Sequence, residues 1–261
     1  AEDYLYEVGV LKEKHQEELE DKNSAYDILI SNIANAYKQP KTNVCLTPSG
    51  MNAVYCALRG LKNIQAKNGK TKLLQLGWLY LDTMNIVEHY FDENKIFYDI
   101  NDLDSVENYL KENGHTISAI ITEIPTNPLL QTVDLIKLRS LCDRYNIVLV
   151  IDATFATPFN LDLKPYADIY VESLTKFACG NADVLMGAII LNENSKISLM
   201  SAEFFKHADM PYIKDIQRLA LQIQNYESRM KIISSNTKKL VEYFKTAPFI
   251  DEIFYCLNPK Y

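Results

Sequence analysis

The sequence has few cysteines and histidines, the residues that form disulfides and bind metal ions. Its cysteines are odd in number and far apart, with no C-x-x-C pair: Cys45, Cys56, Cys142, Cys179 and Cys256. The four histidines also stand alone, without a second ligand at metal spacing. We therefore expect no disulfide framework and no metal site, and reduced thiols of this kind are typical of a cytoplasmic protein. No apolar run approaches the roughly 18 residues that a membrane-spanning helix needs, so we expect no membrane partner.

Basic residues are too few to attract a polyanion. Lys and Arg total 27 against 34 Asp and Glu, which gives a net charge of −7. A surface with this balance repels phosphate backbones and anionic lipid, so we expect no nucleic acid partner. Hydrophobic residues make up 48% of the 261 residues, which is typical of a globular chain and not of a disordered, collagen-like or coiled-coil one.

The hydrophobic pattern changes near residue 44. Before it, Leu5, Val8, Leu11 and His15 recur at helical spacing, and a second helical pattern follows Asn23-Ser24 up to about residue 40. After it, we predict strands at 72–76, 119–122, 147–151, 168–171 and 187–191, and helices near 50–61, 82–91, 102–113 and 134–145. This alternation favours an α/β fold, an α-β-α sandwich with a mainly parallel sheet.

The remaining pattern sets the domain organisation. Residues 195–246 are predicted to be helical with a break at Met210-Pro211, and 250–255 is predicted to be a further strand. With no linker or repeat in the chain, we expect an N-terminal helical segment at 1–43 and one compact domain at 44–261. The first two helices are suited either to a subunit interface or to covering the sheet of their own subunit.

Three features fall where strands end, which is where open parallel sheets bind ligands. Asp152 closes one apolar run, and Lys176 follows the next strand, shortly after the hydroxyl side chains of Ser173 and Thr175. The Ser49-Gly50 turn opens a helix, whose N–H groups and positive dipole end suit a phosphate. Taken singly, Asp152 is typical of a turn, Lys176 of a solvated surface lysine and Ser49 of a helix cap. Together they supply the carboxylate, amine and anion cradle that pyridoxal phosphate (PLP) requires.

Ordered strings of residues make this interpretation more specific. They read E-I-P-T-N-P from Glu123, D-A-T-F-A-T-P from Asp152 and S-L-T-K from Ser173. They resemble the E-x-P-[ST]-N-P, D-N-T-F-A-[ST]-P and S-x-T-K motifs of the Cys/Met-metabolism family of PLP enzymes. Ser49–Met51 is similar to the phosphate turn of that family, and Leu79–Thr83 to its segment with a ring-stacking tyrosine. The resemblance implies fold type I, with a large domain like that of aspartate aminotransferase.

The resemblance implies roles for the residues that would meet the cofactor ring. Lys176 would bind the aldehyde as a buried amine and then move protons on the substrate. Asp152 would pair with the pyridine nitrogen and keep it protonated. Tyr80 would stack on the ring and assist proton transfer, and Asn127 would hydrogen-bond the phenolic oxygen.

Other roles implied by the resemblance concern the phosphate and the opposite ring face. The backbone N–H groups of Gly50 and Met51 would hold the phosphate together with the hydroxyls of Ser173 and Thr175. Thr154 would pack against the other face of the ring.

Two departures from the family pattern affect the expected activity. The stretch Leu19–Tyr26 lacks the Arg of the family's Y-[SG]-R motif, and Lys22 cannot supply its bidentate fork. Asn181 and Met186 also stand where the family usually has other residues. The small C-terminal domain of the family does not follow Tyr261 in this sequence, so we expect substrate affinity and closure to be affected.

The resemblance implies a transsulfuration enzyme of methionine biosynthesis, closest to cystathionine γ-synthases. Cysteine would replace the acyl group of an O-acylhomoserine to give cystathionine, in a homodimer or homotetramer. The same residues suit a β- or γ-lyase acting on cystathionine or methionine, or an acylhomoserine sulfhydrylase. A non-catalytic truncated paralogue that binds PLP or a partner subunit, and an aminotransferase, are further alternatives.

Overall fold

The computed structural model describes residues 2–13 and 18–257 of the chain. A seven-stranded sheet forms its middle layer. The strands are β1 (Val44–Thr47), β2 (Lys72–Leu76), β3 (Asn94–Phe97), β4 (Ile117–Glu123), β5 (Val148–Asp152), β6 (Ile169–Ser173) and β7 (Gly187–Leu191). They lie in the spatial order β1-β7-β6-β5-β4-β2-β3.

Helices cover both faces of this sheet. They are α1 (Glu2–Glu7), α2 (Lys22–Ala36), α3 (Gly50–Gln65), α4 (Leu81–Tyr90), α5 (Leu103–Asn113), α6 (Leu135–Tyr145), α7 (Thr157–Asn160), α8 (Ser201–Phe205), α9 (Ile213–Gln222) and α10 (Tyr226–Lys245). Short 3₁₀ helices occur at Lys41–Asn43, Ala66–Asn68, Gly114–Thr116, Lys196–Met200 and Ile223–Asn225.

Strand direction confirms the predicted mainly parallel sheet. Neighbouring strands from β3 through β2, β4 and β5 to β6 are parallel, while β7 is antiparallel to both β6 and β1. Parallel strands need crossover connections, and the helices that supply them cover the two faces. The molecule is thus an α-β-α sandwich, and the carboxyl ends of β4, β5 and β6 share one edge.

Alternation along the strands divides the apolar core in two. Leu149 and Ile151 point into a cluster with α2, α6 and α9, whereas Val148 and Val150 point into a second cluster with α3. Successive side chains of a strand face opposite sides of a sheet, so β5 is apolar on both faces and buried between the layers.

Helix α2 belongs to the core and not to a separate surface. Its buried residues are Ala25, Leu29, Ile30, Ile33 and Ala34. They lie in the same cluster as residues of β1, β5 and β6. Of the two roles expected for the N-terminal helices, α2 therefore takes that of covering the sheet of its own subunit.

Most predicted elements are confirmed, with ends that differ by a few residues. The predicted starts at 102 and 134 are helix caps: Asp102 and Asp134 accept hydrogen bonds from the backbone N–H groups of Ser105 and Lys137. The interruption predicted at Met210-Pro211 is present, because α9 begins only at Ile213. Strands β1 and β3 were not among the predicted strands. Both are four-residue edge strands, and β3 is only half-buried, which leaves little hydrophobic signal.

Over the described residues, one predicted element is wrong and another is shorter than predicted. Residues 250–255 have no regular structure and pair with none of the seven strands. The first predicted helix is cut to α1, because its apolar residues Leu5, Val8 and Val10 are exposed and no packing stabilises a longer helix. His15, from the same predicted helix, lies outside the described residues, as does the end of the predicted domain at 258–261.

Candidate active site

A cavity of about 480 Å³ opens where β4, β5 and β6 end and α3 begins. All the site residues predicted from the sequence line it: Gly50, Met51, Tyr80, Asn127, Asp152, Thr154, Ser173, Thr175 and Lys176. They come from stretches far apart in the chain and meet because parallel strands present their carboxyl ends at one edge. The roles given to them by resemblance remain predictions.

The start of α3 forms one wall of the cavity. Ser49 caps the helix by accepting a hydrogen bond from the Asn52 N–H at 3.1 Å. The N–H groups of the next residues have no acceptor within the helix, and the helix dipole makes this end attractive to an anion. The wall therefore has the backbone donors that a phosphate needs.

Two glycines allow α3 to approach the sheet. A Cβ on Gly50 would lie 2.7 Å from the Cβ of Ser173, and one on Gly187 would lie 2.4 Å from the backbone oxygen of Ser49. Side chains at either position would push the helix start away from β6 and β7. The missing Cβ atoms thus create the cradle at the helix N-terminus.

Hydroxyl side chains border the same cradle. Thr154 Oγ1 accepts a hydrogen bond from the Ser173 N–H at 2.8 Å, which ties the ends of β5 and β6 together. Thr175 Oγ1 accepts from the Met186 N–H at 3.1 Å and donates to the Met186 carbonyl at 3.2 Å. Its proton can rotate from that carbonyl towards an anion while the Met186 N–H still holds the oxygen in place.

Asp152 ends β5 with its carboxylate in the cavity. Burial raises its pKa, and hydrogen bonds from Thr154 partly oppose this effect. The Thr154 N–H donates to Asp152 Oδ1 at 2.8 Å. Among the described residues, no cationic side chain forms a salt bridge with Asp152. A half-buried carboxylate without a counter-ion fits a ligand that brings a protonated ring nitrogen.

Glu123 is a cavity residue for which the sequence predicted no role. It ends β4 directly beside Asp152, and its Oε1 accepts a hydrogen bond from the Tyr80 N–H at 2.5 Å. Burial and the neighbouring Asp152 raise the pKa of Glu123 to about 7, although hydrogen bonds from the backbones of Tyr80 and Asn127 favour its ionised form. The sequence signal that could have identified Glu123 is its place at the first position of the E-I-P-T-N-P string.

Thr83, in the first turn of α4, is the second cavity residue that sequence reasoning missed. It is buried, and its Oγ1 has no hydrogen-bond partner within the described part of the chain. A buried hydroxyl without a partner is costly unless water or a ligand satisfies it. This hydroxyl is a further polar group available to a cofactor.

Lys176 differs from its predicted environment. We expected a buried amine, but the side chain is exposed at the open side of the cavity. The cavity is open on this side, where Tyr80, Asn127, Phe155 and Leu185 also line it and are exposed. The lysine thus faces the cavity from its rim.

The stretch that resembles the family's Arg-bearing motif lies away from the cavity. Lys22 begins α2, is exposed and is not among the cavity-lining residues. No group of three or more His, Cys, Asp or Glu side chains that could hold a metal occurs in residues 2–13 and 18–257. Over the same residues, none of the helices has the length and apolar character needed to cross a bilayer.

Comparisons with known proteins agree with the features of the cavity. The family model for Cys/Met metabolism PLP-dependent enzymes matches residues 20–260. The L-2-amino-4-chloropent-4-enoate dechlorinase/desaturase of Streptantibioticus cattleyicolor is 35% identical over 249 residues, covering 94% of this chain and 50% of that protein. The cystathionine gamma-synthase of Neurospora crassa is 31% identical over 236 residues, covering 88% of this chain and 37% of that protein.

A solved structure supports the fold. The crystal structure of cystathionine gamma synthase from Xanthomonas oryzae pv. oryzae in complex with aminoacrylate and cysteine has a TM-score of 0.75 at 18% identity, covering 89% of this chain and 59% of that chain. This chain spans half or less of the length of the two curated relatives above. The sequence match, the sheet and the cavity agree: the chain belongs to the Cys/Met metabolism family of PLP-dependent enzymes, and its cofactor is pyridoxal phosphate.

Proposed function

We propose that this chain is the PLP-binding large domain of an enzyme that makes cystathionine from an O-acylhomoserine and cysteine. In this reaction the bond from Cγ to the acyl oxygen breaks and a bond from Cγ to the cysteine sulfur forms. The acyl group leaves as a carboxylate, and the thiol proton is released. One observation carries the proposal: Lys176, Asp152 and the anion cradle of α3 line the same cavity.

The residues of the cavity fit the cofactor at three points. The N-terminus of α3 and the Ser173 hydroxyl would hold its phosphate, and Asp152 would hold its ring nitrogen as a protonated group. The Lys176 Nζ would bind its aldehyde. When bound, PLP supplies an electron sink that stabilises a carbanion on an amino acid substrate.

The chain's own residues would then orient the reactants and move protons. Lys176 is the amine at the cavity rim, so its Nζ is the group that can take protons from the substrate's Cα and Cβ and return them to these two carbons after the sulfur has bonded to Cγ. Tyr80, held at the N-terminus of α4 by Glu123, would stack on the ring and support these transfers. Asn127 would hydrogen-bond the phenolic oxygen of the cofactor.

A second candidate function is elimination without addition of cysteine. The relative with 35% identity is named for a substrate that carries chlorine on carbon 4, the γ-carbon of the amino acid. Both reactions require loss of a group from Cγ, and they differ in whether a thiol then adds to that carbon. The cavity rim next to Lys176 is apolar, with Phe155, Phe177 and Leu185, which suits a substituent that is uncharged while it is bonded to Cγ, such as chlorine.

The open side of the cavity supports the predicted homodimer or homotetramer. Tyr80, Phe155 and Leu185 are exposed apolar residues at this opening. A second subunit placed there would cover apolar surface and exclude water from the Lys176 amine.

Product analysis with the PLP-loaded chain tests the proposed function. O-Acetylhomoserine and O-succinylhomoserine are supplied with and without cysteine, and the products are identified by mass spectrometry. We expect cystathionine when cysteine is present. An oxo acid and ammonia in both conditions, without cystathionine, would support the elimination candidate. Lys176→Ala is expected to abolish turnover, whereas Lys111→Ala, at a surface position on α5, is expected to retain it.

A further inference from the structure

The turn that carries Lys176 has few hydrogen bonds of its own. It follows β6, and within it the Lys176 N–H donates to the Ser173 carbonyl at 3.2 Å and the Cys179 N–H to the Leu174 carbonyl at 3.0 Å. The Lys176 side chain is exposed. The position of its amine therefore depends on contacts that other elements make with the neighbouring backbone.

Arg229 of α10 makes such contacts directly after the lysine. Its Nε and Nη2 donate to the Phe177 carbonyl at 3.2 and 3.0 Å, and Nη2 also donates to the Ala178 carbonyl at 2.7 Å. A planar guanidinium that binds two carbonyls fixes their direction as well as their distance. A Cβ on Gly180 would lie 3.0 Å from Arg229 Nη1, so the glycine leaves room for this arrangement.

Tyr226 makes a second contact at the other end of the same segment. Its hydroxyl donates to Glu172 Oε1 at 2.7 Å, and Tyr37 of the α2 C-terminus donates to Glu172 Oε2 at 2.6 Å. All three side chains are buried. Residues three apart lie on the same helix face, so Tyr226 and Arg229 reach the sheet side by side. The Arg229 guanidinium lies 5.9 Å from the centroid of the Tyr226 ring.

We propose that Tyr226 and Arg229, in the first turn of α10, are positioning residues for Lys176. Tyr226 contacts the start of the segment 172–178 through Glu172. Arg229 contacts the end of this segment through the Phe177 and Ala178 carbonyls. Ser173 and Lys176 lie between these two contacts, and we refer to the pair of contacts as the bracket. The importance of this bracket for cofactor binding rests on the proposed function of Lys176.

The test compares Arg229→Gln and Arg229→Lys with Arg139→Gln in the full chain. Arg139 is a matched control, because it is also half-buried and donates to the Tyr166 carbonyl at 2.9 Å and to Asp168 at 2.8 Å. These contacts lie at the opposite end of β6. For each variant we would measure the dissociation constant of PLP, the visible circular dichroism of bound PLP, the midpoint of thermal unfolding and hydrogen exchange of the backbone amides at 177–180.

We expect Arg229→Gln to weaken PLP binding about tenfold or more, to reduce the visible circular dichroism and to speed exchange at 177–180 about tenfold. A loss of this size corresponds to one strong charged hydrogen bond. Arg229→Lys should give intermediate values, because a lysine retains the charge without the fork. Arg139→Gln should lower the unfolding midpoint but leave the other readouts at wild-type values.

The proposal would be overturned if Arg229→Gln and Arg139→Gln had equal PLP affinity, equal visible circular dichroism and equal hydrogen exchange. The exchange measurement needs no cofactor, so it decides the question even if the wild-type chain binds no PLP. In that case the proposed function fails, whereas faster exchange confined to 177–180 in Arg229→Gln still supports the bracket.

Discussion

The carboxylate of Glu123 and the backbone amide of Tyr80 are joined by a hydrogen bond of 2.5 Å. Tyr80 precedes α4, and its own side chain makes no capping hydrogen bond there. Glu123 therefore caps α4 from the end of a neighbouring strand. The same contact holds Tyr80 at the cavity, where we predict that it stacks on the cofactor ring.

Replacing Glu123 with Ala should affect both stability and cofactor binding. Loss of a helix cap costs about 1 kcal/mol of unfolding free energy, and Tyr80 would lose its anchor. We expect a weaker affinity for PLP in a titration followed by visible absorbance. Asp102→Ala is the matched control, because Asp102 caps α5 away from the cavity. Asp102→Ala should lower stability by a similar amount and leave the PLP affinity unchanged. If Glu123→Ala and Asp102→Ala bound PLP with the same affinity, this role of Glu123 would be contradicted.

Glu172 should make the stability of the chain depend on pH. Burial raises its pKa from 4.5 to about 7, despite the hydrogen bonds from Tyr37 and Tyr226 that favour the ionised form. Between these values the folded state binds a proton that the unfolded state releases, so the unfolding free energy falls as pH rises. The loss from this group reaches up to about 3 kcal/mol by pH 8.

Urea denaturation of wild type and Glu172→Gln at pH 5 and pH 8 measures this effect. Glutamine keeps the shape of the side chain and one acceptor oxygen, and it does not titrate. Its amide nitrogen can donate to one of the two tyrosine hydroxyls. We expect the variant to gain stability relative to wild type as pH rises. Glu107→Gln, at a partly exposed position where Glu107 pairs with Arg144, should follow wild type. A parallel pH dependence in Glu172→Gln and wild type would refute the assignment.

Gly50→Ala should weaken binding of the cofactor's phosphate. The new Cβ would lie 2.7 Å from the Cβ of Ser173 and would push the start of α3 away from β6. We expect a larger loss of affinity for PLP than for pyridoxal, which lacks the phosphate. The control is Gly114→Ala, whose Cβ would lie 2.8 Å from the Tyr145 ring, outside the cavity lining. It should lower stability without changing either affinity, and an equal loss for both ligands in Gly50→Ala would speak against a phosphate cradle.

Local patterns were sufficient to predict the sheet edge at which the site lies. The apolar run that forms β5 placed Asp152 at a strand end, and the turn after β6 placed Lys176 near it. Both predictions depend on hydrophobic continuity, which is strong in strands buried on both faces. The edge strands β1 and β3 were not predicted because they are short, and β3 is only half-buried.

Contacts between distant residues could not be read in this way. Glu172 is a buried carboxylate in β6, and the hydroxyls of Tyr37 and Tyr226 donate hydrogen bonds to it. Arg229 reaches the Ala178 carbonyl across 51 residues of sequence. Such contacts depend on how α2 and α10 pack on the sheet, and no short string encodes that packing. The exposure of Lys176 was missed for the same reason, since it depends on what surrounds the cavity.

Mapping the lysine that binds PLP tests the central claim most directly. The chain is incubated with PLP, reduced with borohydride, digested and analysed by mass spectrometry, with Asp152→Asn treated in parallel. We expect one dominant pyridoxyl group, on Lys176, and a clearly lower yield in Asp152→Asn because the ring nitrogen loses its carboxylate. Label spread over surface lysines, with no preference for Lys176 and no effect of Asp152→Asn, would contradict the account.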